Sequence, residues 1–288
     1  MKNFEQFVGI DWSGAKSPQR TSSIAVARID RKSTDVGLLP DIRSRMEVFD
    51  FISLINKRTL IGIDCNFGYA HDIVKKHLGE NKSAQDLWGI VDQVNVANDN
   101  FFAGSFWTHQ NYRDDFWTAG KMRDGFEMPK RTTEIICSEN GYGKPESPFK
   151  LIGAKQVGKD GLAGMRLAHQ LKNKFGETIA VWPFDQNINE AKIVMTEIYP
   201  QQFIMRSGQG TQKLRNVDDL NKALHFYGVS PIKDEGFSDH DADALVSAAG
   251  LRYLCGQNKD VPHNLAQPKD MTIEAQQYEG WIFGVGDQ

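Results

Sequence analysis

Two runs in this chain end alike: Val8-Gly9-Ile10-Asp11 and Leu60-Ile61-Gly62-Ile63-Asp64 each lead apolar residues into an aspartate. Turn residues follow, Trp12-Ser13-Gly14 in the first case and Cys65-Asn66-Phe67-Gly68 in the second. Such a run reads as a buried strand whose last side chain emerges at the edge of a sheet. A carboxylate there is costly to desolvate without a cation, and two that converge repel each other. A shared metal ion relieves both penalties.

A third acidic group opens a helix in Ser238-Asp239-His240-Asp241-Ala242-Asp243-Ala244-Leu245-Val246. Ser238 suits an N-cap, and Asp241 occupies the reciprocal position of a capping box. With roughly 100° between successive residues, Asp239, His240 and Asp243 share a face while Asp241 points away. The helix dipole alone accounts for Asp239 and Asp241. Asp243 lies deeper, and Ala244, Ala248, Ala249 and Gly250 behind it let the helix approach a sheet closely. Glu197, inside an apolar run that ends at Pro200, is the fourth candidate; its plainer reading is an edge-strand glutamate facing water. Carboxylates from separate segments suit two Mg²⁺ or Mn²⁺ ions about 4 Å apart, which activate water and stabilise the leaving oxygen of a phosphodiester. Such hard cations take oxygen ligands. Cys65, Cys137 and Cys255 form no CxxC pair and read as reduced thiols.

The elements that must position these groups read as a mixed α/β pattern. Strands fall at residues 7–11, 22–29, 36–39 and 60–64, with a helix over 44–56 before the last of them. Helices follow at 71–78 and 83–97, then 161–175, 217–227 and 239–254, with further strands at 179–182 and 193–200. Residues 98–148 change character. Phe101, Phe102, Phe106, Trp107, Tyr112, Phe116 and Trp117 mix there with Arg113, Lys121, Arg123, Lys130 and Arg131. No period runs through the stretch, which reads as an insertion or cap over the site within one domain spanning 1–288. Its aromatic and basic residues suit stacking on bases and pairing with phosphates, or else form the cap's own small core.

The chain has 288 residues, 40% hydrophobic and 25% charged, with a formal net charge of -3. This is ordinary globular composition with no global basic field, so nucleic-acid contact must come from local patches. No segment is long enough to span a membrane, and the first residues lack the apolar stretch of a signal peptide, so a cytoplasmic protein is expected.

Asp11, Asp64 and His240-x-x-Asp243, in this order, resemble the RNase H-like superfamily, particularly its RuvC-resolvase branch. The chain is more closely similar to a domain-of-unknown-function family of predicted RNase H-like nucleases. The matching pieces are Val8 to Asp11, Gly62 to Asp64, the Val157-Gly158-Lys159 to Gly164 segment, Glu197-Ile198-Tyr199-Pro200 and Asp241 to Leu245. The resemblance implies an RNase H-like fold, a mixed five-stranded sheet flanked by helices, and hydrolysis of DNA or RNA dependent on Mg²⁺ or Mn²⁺. Asp11, Asp64 and Asp243 would hold metal, with Asp239 or Glu197 completing the set and His240 as ligand or proton shuttle. Lys16, Arg20, Lys155, Lys159 and the basic residues from Lys121 to Arg131 would hold the nucleic-acid backbone. Gly153 to Asp160 nearly spells a phosphate-binding P-loop, but Asp160 stands where a metal-binding hydroxyl is needed, so a P-loop NTPase is rejected. Two rivals stay open: an actin-like kinase or ATPase, because Asp11 followed by Ser13-Gly14 can grip phosphates and Mg²⁺, and a non-catalytic RNase H-like scaffold.

Overall fold

A computed structural model describes residues 3–16, 23–126, 128–153, 156–233, 236–256 and 267–286. Its strands are β1 (Gln6–Asp11), β2 (Ala25–Asp30), β3 (Gly37–Leu38), β4 (Thr59–Ile63), β5 (Ile179–Trp182) and β6 (Ile193–Glu197). Helices α1 (Arg45–Leu54), α2 (His71–Leu78), α3 (Ala84–Val94), α4 (Gly104–Thr108) and α5 (Thr132–Glu139) precede β5 in the chain. Next come α6 (Val157–Phe175), ahead of β5, and α7 (Pro200–Arg206), α8 (Val217–Phe226) and α9 (Asp239–Gly256) after β6.

The strands form one mixed sheet in the order β3-β2-β1-β4-β6-β5. β3, β2 and β1 pair antiparallel, while β1, β4, β6 and β5 run parallel. The sheet has six strands among the described residues where five were expected. All six strand segments read from the sequence enter it, β6 lying beside β4 and β5 at the edge. Alternation along the strands feeds two cores. Val8, Ile10, Ile61 and Ile63 pack with Leu162, Met165 and Leu167 of α6 on one face. Phe7, Leu60 and Val194 pack with Phe203, Leu224 and Leu245 of α7, α8 and α9 on the other.

The aromatic stretch after residue 98 joins the first of these cores. Phe101, Phe106 and Phe116 are buried with Phe67, Tyr69 and Phe149, and Phe106 stacks on Tyr112 with ring centres 4.3 Å apart. α6 starts at Val157, four residues before the helix expected from Gly161, so Lys159 and Asp160 lie in its first turn. Pro200 starts α7 rather than merely ending a strand, at the helix position where proline's missing N–H leaves no bond unmade.

α9 lies directly on β1. A Cβ on Gly9 would stand 2.4 Å from the Ala244 carbonyl oxygen and 2.6 Å from the Ala248 nitrogen. Those contacts are with helix backbone, which cannot swing aside. Gly9→Ala is expected to lower stability by about 1–3 kcal/mol in chemical denaturation. Gly37→Ala, with open space around the new methyl, serves as the control and should leave the midpoint nearly unchanged.

Candidate active site

Parallel register sets Ile10 beside Ile63, and the next amide, that of Asp64, donates to the Ile10 carbonyl at 2.9 Å. Asp11 and Asp64 therefore leave adjacent strands at the same level. The Ser238 cap fixes the start of α9 above them. The Asp241 carboxylate accepts from the Ser238 N–H at 2.9 Å and from its hydroxyl at 2.7 Å, as the capping pattern predicts, and Arg43 pairs with it at 3.3 Å. Two residues further on, Asp243 is buried against the sheet, with one carboxylate oxygen bonded by the Lys213 ammonium. Its other oxygen is buried and has no partner among the described residues. His240 Nδ1 meets Asp11 Oδ2 at 2.5 Å.

Asp160 joins the group from the first turn of α6. Its carboxylate accepts the Gly14 N–H at 2.5 Å, and its carbonyl oxygen accepts from the Trp12 indole at 3.1 Å. Gly14 is required there: a Cβ would fall 2.0 Å from the Lys159 carbonyl. Beneath this turn the buried Arg45 guanidinium donates to the Ser13 carbonyl and, at 3.0 Å, to that of Ala15.

The electrostatics express crowding. Burial pushes Asp64 well above the usual carboxylate range, and the charges of Asp11, Asp243 and Asp160 push it further. Asp160 rises to about 7, mainly through burial with help from Asp11 and against the Gly14 hydrogen bond. Asp243 rises to about 6 through burial, with Lys213 opposing and Asp11 adding. Burial also raises Asp11, opposed by His240, whose own pKa is raised by the hydrogen bond to Asp11.

Asp11, Asp64, Asp243 and His240 are thus neighbours, as their sequence positions suggested. Asp239 departs from the expected set: its carboxylate turns to Arg215 at 3.2 Å. Glu197 is buried, not water-facing, yet the cation beside it is Arg131, which grips both carboxylate oxygens at 2.6 and 2.7 Å. Arg131 also holds Glu134 at 2.7 Å. Buried in this Glu–Arg–Glu triad, it is not free to hold a nucleic-acid backbone as its place in the basic segment suggested. Glu134 is pushed up to about 7 by burial, with Arg131 opposing. A cavity of about 40 Å³ lies between the triad and the cluster, lined by Asp64, Asn66, Arg131, Glu134, Glu197 and Tyr199 among others.

Of the proposed backbone-binding cations, Lys16 is exposed, and Lys159 bonds Gln156 at 2.6 Å with its ammonium 6.0 Å from the Trp107 ring centre. Arg20 and Lys155 lie outside the described residues. Lys121 and Arg123 are exposed and pair loosely with Asp124 and Asp114 at 3.7 and 3.3 Å.

Lys213 and Asp160 were missed as site residues. Asp160 was visible only as the acid spoiling a P-loop pattern; its meaning was a helix start aimed at Asp11. Lys213 sits in a polar loop with no local signal. Among the described residues, no three His, Cys, Asp or Glu side chains stand in a geometry ready to hold a metal; His240 and Lys213 occupy oxygens of Asp11 and Asp243. The donors themselves, close-set carboxylates and one buried oxygen without a partner, fit a hard divalent cation. Comparison with protein families, curated proteins and solved structures finds no match to this chain.

A carboxyl raised from its ordinary value to about 7 keeps its proton in the folded state to a higher pH than in the unfolded state. The stability it contributes is full below about pH 4 and is lost as pH rises through 7. Asp160→Asn keeps an oxygen for the Gly14 N–H and removes the charge. In metal-free buffer the variant should match the wild type at pH 4 and melt at higher temperature at pH 8. Equal melting at both pH values would contradict the placement of Asp160 in the cluster.

Proposed function

We propose that the protein is a metal-dependent nuclease of RNase H-like fold that hydrolyses a phosphodiester in DNA or RNA. The observation that carries this reading is the meeting of Asp11, Asp64 and Asp243, from two adjacent strand ends and a facing helix, with too little positive charge to neutralise them. An antiparallel meander leading into parallel strands, with helices on both faces, agrees with the fold, β5 being an added edge. Mg²⁺ or Mn²⁺ held by Asp11, Asp64 and Asp243 would acidify a bound water and offset charge on the phosphate. His240, half-exposed at the mouth of the site, keeps its proton to higher pH because of Asp11 and can give it to the leaving oxygen. Glu197, held through Arg131, acts as a support for the floor of the site beside Asp64 rather than as a ligand. Lys16, Lys159, Lys121 and Arg123 supply positive charge for the substrate backbone, so binding weakens steeply with salt.

The turn after Asp11 argues against a phosphate-gripping kinase. The Gly14 N–H is committed to Asp160, and Arg45 fixes the carbonyls on either side. A non-catalytic scaffold would bear four crowded carboxylates that destabilise the fold at neutral pH with no return.

The test incubates labelled single-stranded, duplex and branched DNA and RNA with the protein in Mn²⁺ or EDTA, beside Asp11→Asn and Asp64→Asn. Cleavage should require Mn²⁺ and fall by about a hundredfold or more in each variant, the scale of losing an electrostatic stabiliser at a reacting centre. Cleavage that survives Asp11→Asn would be a contaminant's. ATP turnover without cleavage would favour the kinase.

A further inference from the structure

Between α7 and α8 the chain turns through residues 207–216, where Gly208 and Gly210 take φ of +82° and +73°. Contacts pin the loop at three places. The Gly210 carbonyl accepts from Gln201 at 3.2 Å, the Leu214 side chain is buried, and Arg215 pairs with Asp239. Lys213 lies between these anchors and reaches in alone to Asp243. Its side chain remains 47% exposed, so its ammonium can return to water without unpacking anything. Arg131, enclosed on every side, has no such freedom.

Charge and hydrogen bonding around Lys213 make it a substitute that fits incompletely. Asp243, Asp11 and Asp64 all favour its charge. A single ammonium nevertheless bonds one oxygen of Asp243 and leaves the other buried and, among the described residues, bare. A divalent ion on the same carboxylate would repel the ammonium more strongly than one partly exposed lysine contact holds it.

We propose that Lys213 is an exchangeable counter-ion, held on Asp243 while the site lacks a divalent cation and displaced into solvent when one binds, so that cation binding is linked to the 207–216 loop. The inference rests on the reading that Asp11, Asp64 and Asp243 hold the cation. The aspartates then never face one another without a cation, and a metal must outcompete a tethered ligand of like sign to enter.

Mn²⁺ affinity of the full chain, measured by titration calorimetry, tests the exchange directly. Lys213→Met should bind Mn²⁺ about tenfold tighter or more, since a competing charge is gone. Lys213→Arg, which keeps the charge, should stay near the wild type. Lys222→Met, which removes a charge from a surface pair with Asp219, should change nothing. A second readout needs no variant: Mn²⁺ should speed tryptic cleavage after Lys213 or Arg215 in the wild-type protein. Mn²⁺ binding to the wild type with neither tighter binding by Lys213→Met nor faster cleavage would overturn the exchange alone. Absence of Mn²⁺ binding in both proteins would overturn the exchange together with the metal reading beneath it.

Discussion

The approach of α9 to β1 across Gly9 is the constraint on which the rest of the structure depends. A helix that seats its backbone on a strand must carry small residues at the contact, and Ala244 and Ala248 meet that need. Asp243 precedes the first of them, so the same contact that packs the helix delivers a carboxylate to the end of β1. Asp11 and Asp64 are level because parallel pairing of β1 and β4 makes them so. Gly14 repeats the device on a smaller scale, letting the first turn of α6 close over the Asp11 turn and bring Asp160 in.

Two groups of acids stand side by side, held in different ways. Glu134 and Glu197 share one guanidinium that makes four hydrogen bonds, three to their carboxylates and one to the Glu279 carbonyl at 2.8 Å. Removing one member of such a buried set leaves the others stranded. The aspartate group is more open: among the described residues, Lys213, His240 and the Gly14 amide bond three of its four carboxylates, and burial raises the pKa of all four, as it does that of Glu134.

Much of this was legible in the chain. Asp11 and Asp64 announce themselves because an apolar run ending in an acid fits little else than a buried strand opening onto a site. The Ser238 cap with its alanine-rich continuation specifies where α9 starts and what it packs on. Glu197 was recognised as an acid in an apolar setting, but sequence carries no trace of its partner, since Arg131 looks like any other member of a basic stretch. The aromatics from Phe101 to Phe116 carry the same ambiguity: hydrophobic rings without a period fit a stacking surface as well as a core. Tertiary packing decides in favour of the core for Phe101, Phe106 and Phe116. Asp160 was hidden by a near-match to a different motif, and Lys213 by having no pattern around it.

The participants in the aspartate group are scattered from one end of the chain to the other; 229 positions separate Asp11 from His240. Closing so long a loop carries an entropic penalty that few early contacts can offset. During synthesis β1 and β4 can pair long before α9 leaves the ribosome, so the strand-end aspartates spend that interval facing water, where their charges are hydrated and harmless. The last long helix then settles on β1 and brings Asp243 and His240 to them. The share of the repulsion that Asp243 adds therefore acts on the final docking step, and the site comes into being as the fold is completed.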